Sequence, residues 1–117
     1  MTEDKVVKVE ISIPYNENTK QLVDVMQNIV IDAFSGLTRS VIEPQVYKGF
    51  WLDPDSEPPK IWEEPVVRFL IYFNLEEVPE GFTALKMLAE RLIEAGEKET
   101  WQISYEAMRY KYQAPVG

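Results

Sequence analysis

Cysteine and histidine are both absent from the 117 residues. Without cysteine there is no disulfide, no thiolate ligand for zinc and no thiol nucleophile. Without histidine there is no imidazole metal ligand, no Ser-His pair and no side chain that ordinarily titrates near neutrality. Any catalysis would rest on Asp, Glu, Lys, Tyr or Arg alone, and the composition implies no cofactor and no metal site. Cations are scarce as well: 12 Lys and Arg stand against 20 Asp and Glu, a formal net charge of −8. Affinity for nucleic acid comes largely from cations that displace counterions from phosphates, so the balance argues against a nucleic-acid partner. Anionic membrane surfaces are disfavoured for the same reason. No apolar run approaches the roughly 20 residues needed to span a bilayer. Met1-Thr2-Glu3-Asp4 lacks the basic and apolar segments of a secretory leader, which points to a cytoplasmic protein.

The length suits one domain, residues 1–117, with enough chain to bury about two-thirds of its unfolded surface. Its densest β signal lies at 65–74. Val67, Phe69, Ile71 and Phe73 alternate with Val66, Arg68, Leu70 and Tyr72. Alternate side chains of a strand point to opposite faces, so one face is wholly apolar and the other amphipathic. Such a strand belongs inside a sheet, and Pro65 sits at its start, where a missing N–H costs least.

Residues 5–13 also alternate, with Val7, Val9, Ile11 and Ile13 on one face and Lys8, Glu10 and Ser12 on the other. Asn18 and Gln21 have the spacing of a capping box, opening a helix that runs to about Phe34. Leu22, Val25, Met26, Ile29, Val30, Ala33 and Phe34 form its apolar stripe, and Gly36 is expected to supply the left-handed residue that ends it. Val23 and Ile31 fall off that stripe and are expected at a neighbouring subunit. An edge strand follows, regular over 45–52 and interrupted by Pro44 and Gly49. Residues 53–64 form an acidic, Pro-rich loop. Ile61 and Trp62 are too apolar to hang free and are expected to fold back onto the body. Pro79 and its acidic neighbours open a second helix, with Phe82, Leu85, Leu88, Ala89 and Leu92 facing inward and Gly96 ending it. The last strand covers 100–113. Trp101, Ile103 and Tyr105 share a face; the apolar parity then shifts to Met108, Tyr110 and Tyr112, which predicts a bulge near 106–108. Residues 107–117 form a C-terminal extension long enough to reach over a neighbour.

The order strand, helix, strand, strand, helix, strand predicts an α+β, ferredoxin-like βαββαβ sandwich. Its sheet would have four antiparallel strands, with both helices on one face and the first and third strands central. Phe34-Ser35-Gly36-Leu37-Thr38, then Gly49-Phe50-Trp51, then Glu63-Glu64 is similar to a diffuse set of small uncharacterised bacterial proteins of ferredoxin-like fold. Those carry Gly-Gly-x-Thr after the first helix, Gly-x-Trp, and an acidic start to the third strand. The resemblance implies the fold and no particular activity.

The helix-free face of the sheet is where function could sit. Alternation places Glu10, Ser12, Arg68, Leu70, Tyr72, Gln102, Ser104 and Glu106 there, with Tyr47 and Trp51 nearby. A charge on a central strand must be paired or wet, so Arg68 is expected to pair with Glu10 or Glu106. A homodimer through that face or through the C-terminal strand is the alternative use of the surface, and a pocket for an anionic ligand at Arg68, Tyr72 and Trp51 is a third. Asp53, Asp55 and Glu57 have a calcium-loop spacing but lack its glycine, so a solvated loop is expected. The leading expectation is a non-enzymatic, self-associating module that binds a protein or a small ligand. The alternatives are a cofactor-free enzyme of the dimeric αβ-barrel kind, and an acidic mimic of nucleic acid that inhibits a basic protein.

Overall fold

The computed structural model describes residues 2–40, 47–53 and 55–116. The chain forms β1 (Thr2–Pro14), α1 (Leu22–Phe34), β2 (Thr38–Arg39), β3 (Tyr47–Asp53), β4 (Lys60–Asn74), a 3-10 turn (Leu75–Glu77), α2 (Val78–Glu94) and β5 (Gln102–Lys111). These build an α+β fold with one antiparallel sheet. β1 and β4 lie side by side, from Val6 opposite Asn74 to Pro14 opposite Val66. β5 flanks β1, and both β2 and β3 pair with the outer side of β4.

The sheet therefore has five strands where four were expected. β4 is 15 residues long and hosts two short partners: β2 opposite Phe69 and Leu70, and β3 opposite Lys60 to Val66. Of the edge strand expected at 45–52, Gln45 and Val46 lie outside the described residues. The loop expected at 53–64 is shorter than that, because Lys60 to Glu64 are already strand. β4 meets β1 only from Val66 onward, so β3 and the first part of β4 form a two-stranded arm. The described residues accordingly extend over 64 × 29 × 25 Å.

One hydrophobic cluster joins Val7, Val9, Ile11 and Ile13 of β1 to Val67, Phe69, Ile71 and Phe73 of β4. Val23, Met26 and Val30 of α1 and Leu85, Leu88 and Leu92 of α2 belong to the same cluster. The ring of Phe73 stacks on Phe34 at 5.3 Å and meets Phe82 edge-on at 5.7 Å. A Cβ on Gly81 would come within 2.7 Å of the Phe73 ring, so that glycine admits the aromatic against the helix backbone.

Several local expectations change. α1 presents Val23 to the core and leaves Val25 exposed, so its buried stripe is rotated from the one expected. The rotation goes with the start of the helix. Asn16, not Asn18, forms the reciprocal box: its Oδ1 accepts from Thr19 N–H at 3.1 Å, and Thr19 Oγ1 accepts from Asn16 N–H at 3.0 Å. Residues 17–21 then form turns, and the regular helix begins at Leu22. Its left-handed end is Ser35, at φ 64°, rather than Gly36. Gly96 does take positive φ beyond α2, and Phe82 is half-exposed instead of buried.

β5 has no bulge. Its register with β1 runs unbroken from Gln102 opposite Ile11 to Lys111 opposite Thr2. The expected extension does not start at 107, because residues 107–111 pair with the chain's own Thr2 to Val6, which lengthens β1 beyond the predicted start. The shift of apolar parity at Met108 has a simpler cause than a bulge. β5 is exposed along both faces, so neither face demands an alternating pattern.

Candidate functional site

Register decides which side chains meet on the sheet face opposite Phe69. Lys8, Glu10 and Ser12 of β1 stand opposite Tyr72, Leu70 and Arg68 of β4. On the other side, Lys8 and Glu10 stand opposite Tyr105 and Ile103 of β5. Gln102, Ser104 and Glu106 are on the opposite face, with Val7, Val9 and Ile11, contrary to the expectation for them. A one-residue difference in register exchanges the faces of a whole strand, and the β5 sequence alone does not fix it.

Arg68 Nη2 lies 3.0 Å from Glu10 Oε1, so Glu10 is its partner and Glu106 is not. Lys8 Nζ approaches the same carboxylate oxygen at 3.8 Å. Glu10 thus sits between two cations. Its carboxylate holds the Arg68 guanidinium above its ordinary pKa. Lys8 lies 5.6 Å from the ring centre of Tyr105 and 5.8 Å from that of Tyr72. The Tyr105 hydroxyl is the main reason its ammonium is shifted upward. The Arg68 guanidinium lies 5.7 Å from the centre of the Tyr47 ring. The backbone of Arg68 is bracketed too: its N–H donates to Ser40 Oγ at 2.9 Å, and its carbonyl accepts from Ser40 N–H at 3.0 Å.

Beside this cluster lies an open concavity of about 700 Å³. Its walls come from the base of the arm (Tyr47, Gly49, Trp51), the sheet face (Glu10, Ser12, Arg68, Ile103) and the segment after α2 (Glu97 to Trp101). The Trp51 indole lies over Gly49, where a Cβ would collide with the ring, which gives the Gly-x-Trp spacing a physical basis. Asn16 ties the floor together. Its Nδ2 donates to Glu64 at 3.0 Å and to Glu97 at 3.1 Å, linking β4 to the loop beyond α2.

Of the predicted site residues, Glu10, Tyr47, Trp51 and Arg68 line the concavity together. Tyr72 lies outside it on the same face, and Glu106 lies on the other face. Lys8, Trp101, Ile103 and Tyr105 join this surface without having been singled out. For Lys8 the signal was present, since it alternates with Glu10; Ile103 and Tyr105 are placed by the register of β5, and Trp101 lies just before that strand.

Asp53 does not stand ready for calcium. Its carboxylate accepts from Ser56 Oγ at 2.8 Å, Asp55 N–H at 2.9 Å and Trp62 Nε1 at 3.1 Å. Among the described residues, no group of three or more Asp or Glu is placed to hold a metal ion. Trp62 folds back only onto this turn. With Ile61, it stays exposed on the arm, contrary to the expectation that both would cover the body. The Ser56, Trp62 and Asp55 bonds, in that order, pull the Asp53 pKa below the ordinary carboxylate range. A folded value below the unfolded one stabilises the turn above about pH 4, and the benefit is lost as pH falls through the lower folded value. The Trp62 indole N–H signal should therefore hold from neutral pH down to about pH 4 and change on further acidification. In Asp53→Asn that acid step should vanish, and an unchanged step in the variant would assign it to another group.

No protein-family model matches the chain, and no functionally described protein matches it in sequence. Solved structures do resemble it. The GlnK–ATP complex of Bacillus subtilis aligns with TM-score 0.55 at 17% identity, over 88% of this chain and 82% of that one. CutA of Xylella fastidiosa aligns with TM-score 0.51 at 14% identity, over 96% and 86% of the two chains. CutA1 of Oryza sativa gives 0.52 at 12% identity, over 92% and 84%. At these identities the likeness is one of fold, and the fold they share is ferredoxin-like. No helix among the described residues is long and apolar enough to cross a membrane.

Proposed function

We propose that this chain is a non-enzymatic, self-associating module that binds a protein or a small ligand in the concavity beside Arg68. In this reading both helices cover the Phe69 face, and the Arg68 face is left uncovered by the chain's own elements. The observation that carries it is the concavity itself: about 700 Å³, within the usual range for ligand sites, with two exposed indoles at its walls. Glu10 already neutralises Arg68, which speaks against a simple anion receptor. A deep pocket holding both Arg68 and Tyr72 would favour a cofactor-free enzyme; here the concavity is open and Tyr72 does not line it.

The three tryptophans make the reading testable without a label. Trp51 and Trp101 line the concavity, whereas Trp62, which pairs with Trp51 across the arm, has its indole bonded to Asp53 and does not line it. A fragment library titrated against the protein should move the indole N–H signals of both Trp51 and Trp101, with any Trp62 shift smaller than these. Trp51→Ala should weaken the strongest of those fragments by about thirtyfold, the equivalent of about 2 kcal/mol for loss of a central aromatic contact. Shifts confined to Trp62, or none at all, would remove the concavity as a binding site.

A further inference from the structure

We propose that two copies of this chain join edge to edge through β5, continuing the sheet across a two-fold axis at Ala107. Among the described residues, nothing pairs with the outer side of β5. The strand has ten residues, no proline and no bulge, so it presents a straight row of unpaired N–H and C=O groups. Natural sheets blunt such edges with prolines, bulges or outward charges, because a bare edge recruits another strand. The charged side chains of the strand are Glu106, Arg109 and Lys111, and the Arg109 guanidinium is turned back onto Asp4 at 2.7 Å and 3.2 Å. Both faces of the strand also expose apolar surface: Ile103 and Tyr105 on one, Met108 and Tyr110 on the other.

Charge points to a second copy at this place rather than elsewhere. A chain of net charge −8 repels itself, yet residues 107–117 contain Arg109 and Lys111 and no acidic side chain. Two acidic copies meet with least repulsion along this strand.

Charge also selects the register. A two-fold axis perpendicular to the sheet keeps each face continuous, so it falls on a residue, not between two. Centred on Glu106, it would set two carboxylates directly against each other. Centred on Met108, it would leave the Gln102 end unpaired. Centred on Ala107, it pairs the strand from Ile103 to Lys111, with Glu106 opposite Met108, Tyr105 opposite Arg109 and Ile103 opposite Lys111. No like charges then face each other.

This inference rests on the self-association half of the proposed function, and Met108 separates the two. Within one chain Met108 faces Lys5. Across the interface it faces Glu106 of the partner subunit. Met108→Glu should keep the fold, gaining a carboxylate opposite Lys5, yet lose the dimer. Met108→Lys should keep the dimer. Sedimentation at tens of micromolar, an order of magnitude suited to a stable interface, should give a dimer for wild type and Met108→Lys and a monomer for Met108→Glu. Directly opposed Cα atoms are about 4.5–5.5 Å apart, within disulfide reach. Ala107→Cys, in a protein with no other thiol, should therefore give a cross-linked dimer on oxidation. A dimer that survives Met108→Glu, together with failure of Ala107→Cys to cross-link, would overturn this edge while leaving self-association standing. A monomeric wild type would overturn both. If Met108→Glu does not fold, the Ala107→Cys result decides alone.

Discussion

Phe69→Asp is expected to yield no folded protein. Phe69 is fully buried in β4, between Ile11 of β1 and Arg39 of β2. The Arg39 guanidinium lies 5.9 Å from the ring centre, but it is already engaged with Gln27 at 2.9 Å and Asp24 at 3.5 Å. A carboxylate at this position would enter the shared apolar cluster, and meeting Arg39 would mean breaking its bond to Gln27. Leaving a buried charge unpaired costs several kcal/mol, and removing the ring forfeits about 1.5–3 kcal/mol of burial as well. A domain of this size is stable by about 5–15 kcal/mol in total, so the two losses consume most or all of it. Phe69→Leu keeps an apolar side chain at the same place and should fold with a lowered melting temperature. The check is circular dichroism with a thermal melt on both variants. A soluble Phe69→Asp protein that melts cooperatively would mean that Phe69 does not occupy the centre of the fold.

Much of the architecture was legible because two strands carry unambiguous alternation. Val7 to Ile13 and Val67 to Phe73 each place four apolar residues on one face, and those eight residues form the sheet's part of the core. Helix faces were less legible. In α1, Leu22, Val25, Met26 and Ile29 fit an apolar stripe about as well as Val23, Met26 and Val30 do. The choice between them rests on the Asn16–Thr19 box, which sets where the helix begins and how it is rotated. The capping signal at Asn18 and Gln21 was genuine in pattern, but it lost to a pair two residues earlier that also anchors the chain to the end of β1. Thr19 Oγ1 donates to the carbonyl of Pro14 and is fully buried.

The site was legible only as far as β1 and β4 carry it. Glu10 and Arg68 are on clean strands, so alternation puts them on one face; the register, which sets Ser12 opposite Arg68 and Glu10 opposite Leu70, makes Glu10 rather than Glu106 the partner. β5 is exposed on both faces, so its sequence does not say which residues join Arg68's side. That choice comes from pairing with β1, a non-local fact. The arm was misjudged for a related reason. Pro58 and Pro59 suggested a long irregular loop, yet the irregular part is confined to the tip, and cross-strand pairs such as Trp51 with Trp62 and Leu52 with Ile61 carry the strands out to it.

The second large effect concerns the two faces of β4 and bears most directly on the whole account. Ile71 and Tyr72 are adjacent. Ile71 is fully buried in the cluster with both helices, whereas Tyr72 is 39% exposed beside Lys8. Because the protein has no cysteine, a single thiol introduced at either position reports on that face alone. The measurement is the rate at which a small alkylating reagent modifies Ile71→Cys and Tyr72→Cys under native conditions. A buried thiol reacts only when the fold opens, and an opening cost of a few kcal/mol slows it by about a hundredfold or more relative to an exposed one. The account predicts rapid modification of Tyr72→Cys and modification of Ile71→Cys slowed by at least that factor, in proteins that both melt cooperatively. Comparable rates at the two positions, or a protected Tyr72→Cys, would mean that the helices do not leave the Arg68 face open, and the concavity would lose its place as the binding surface.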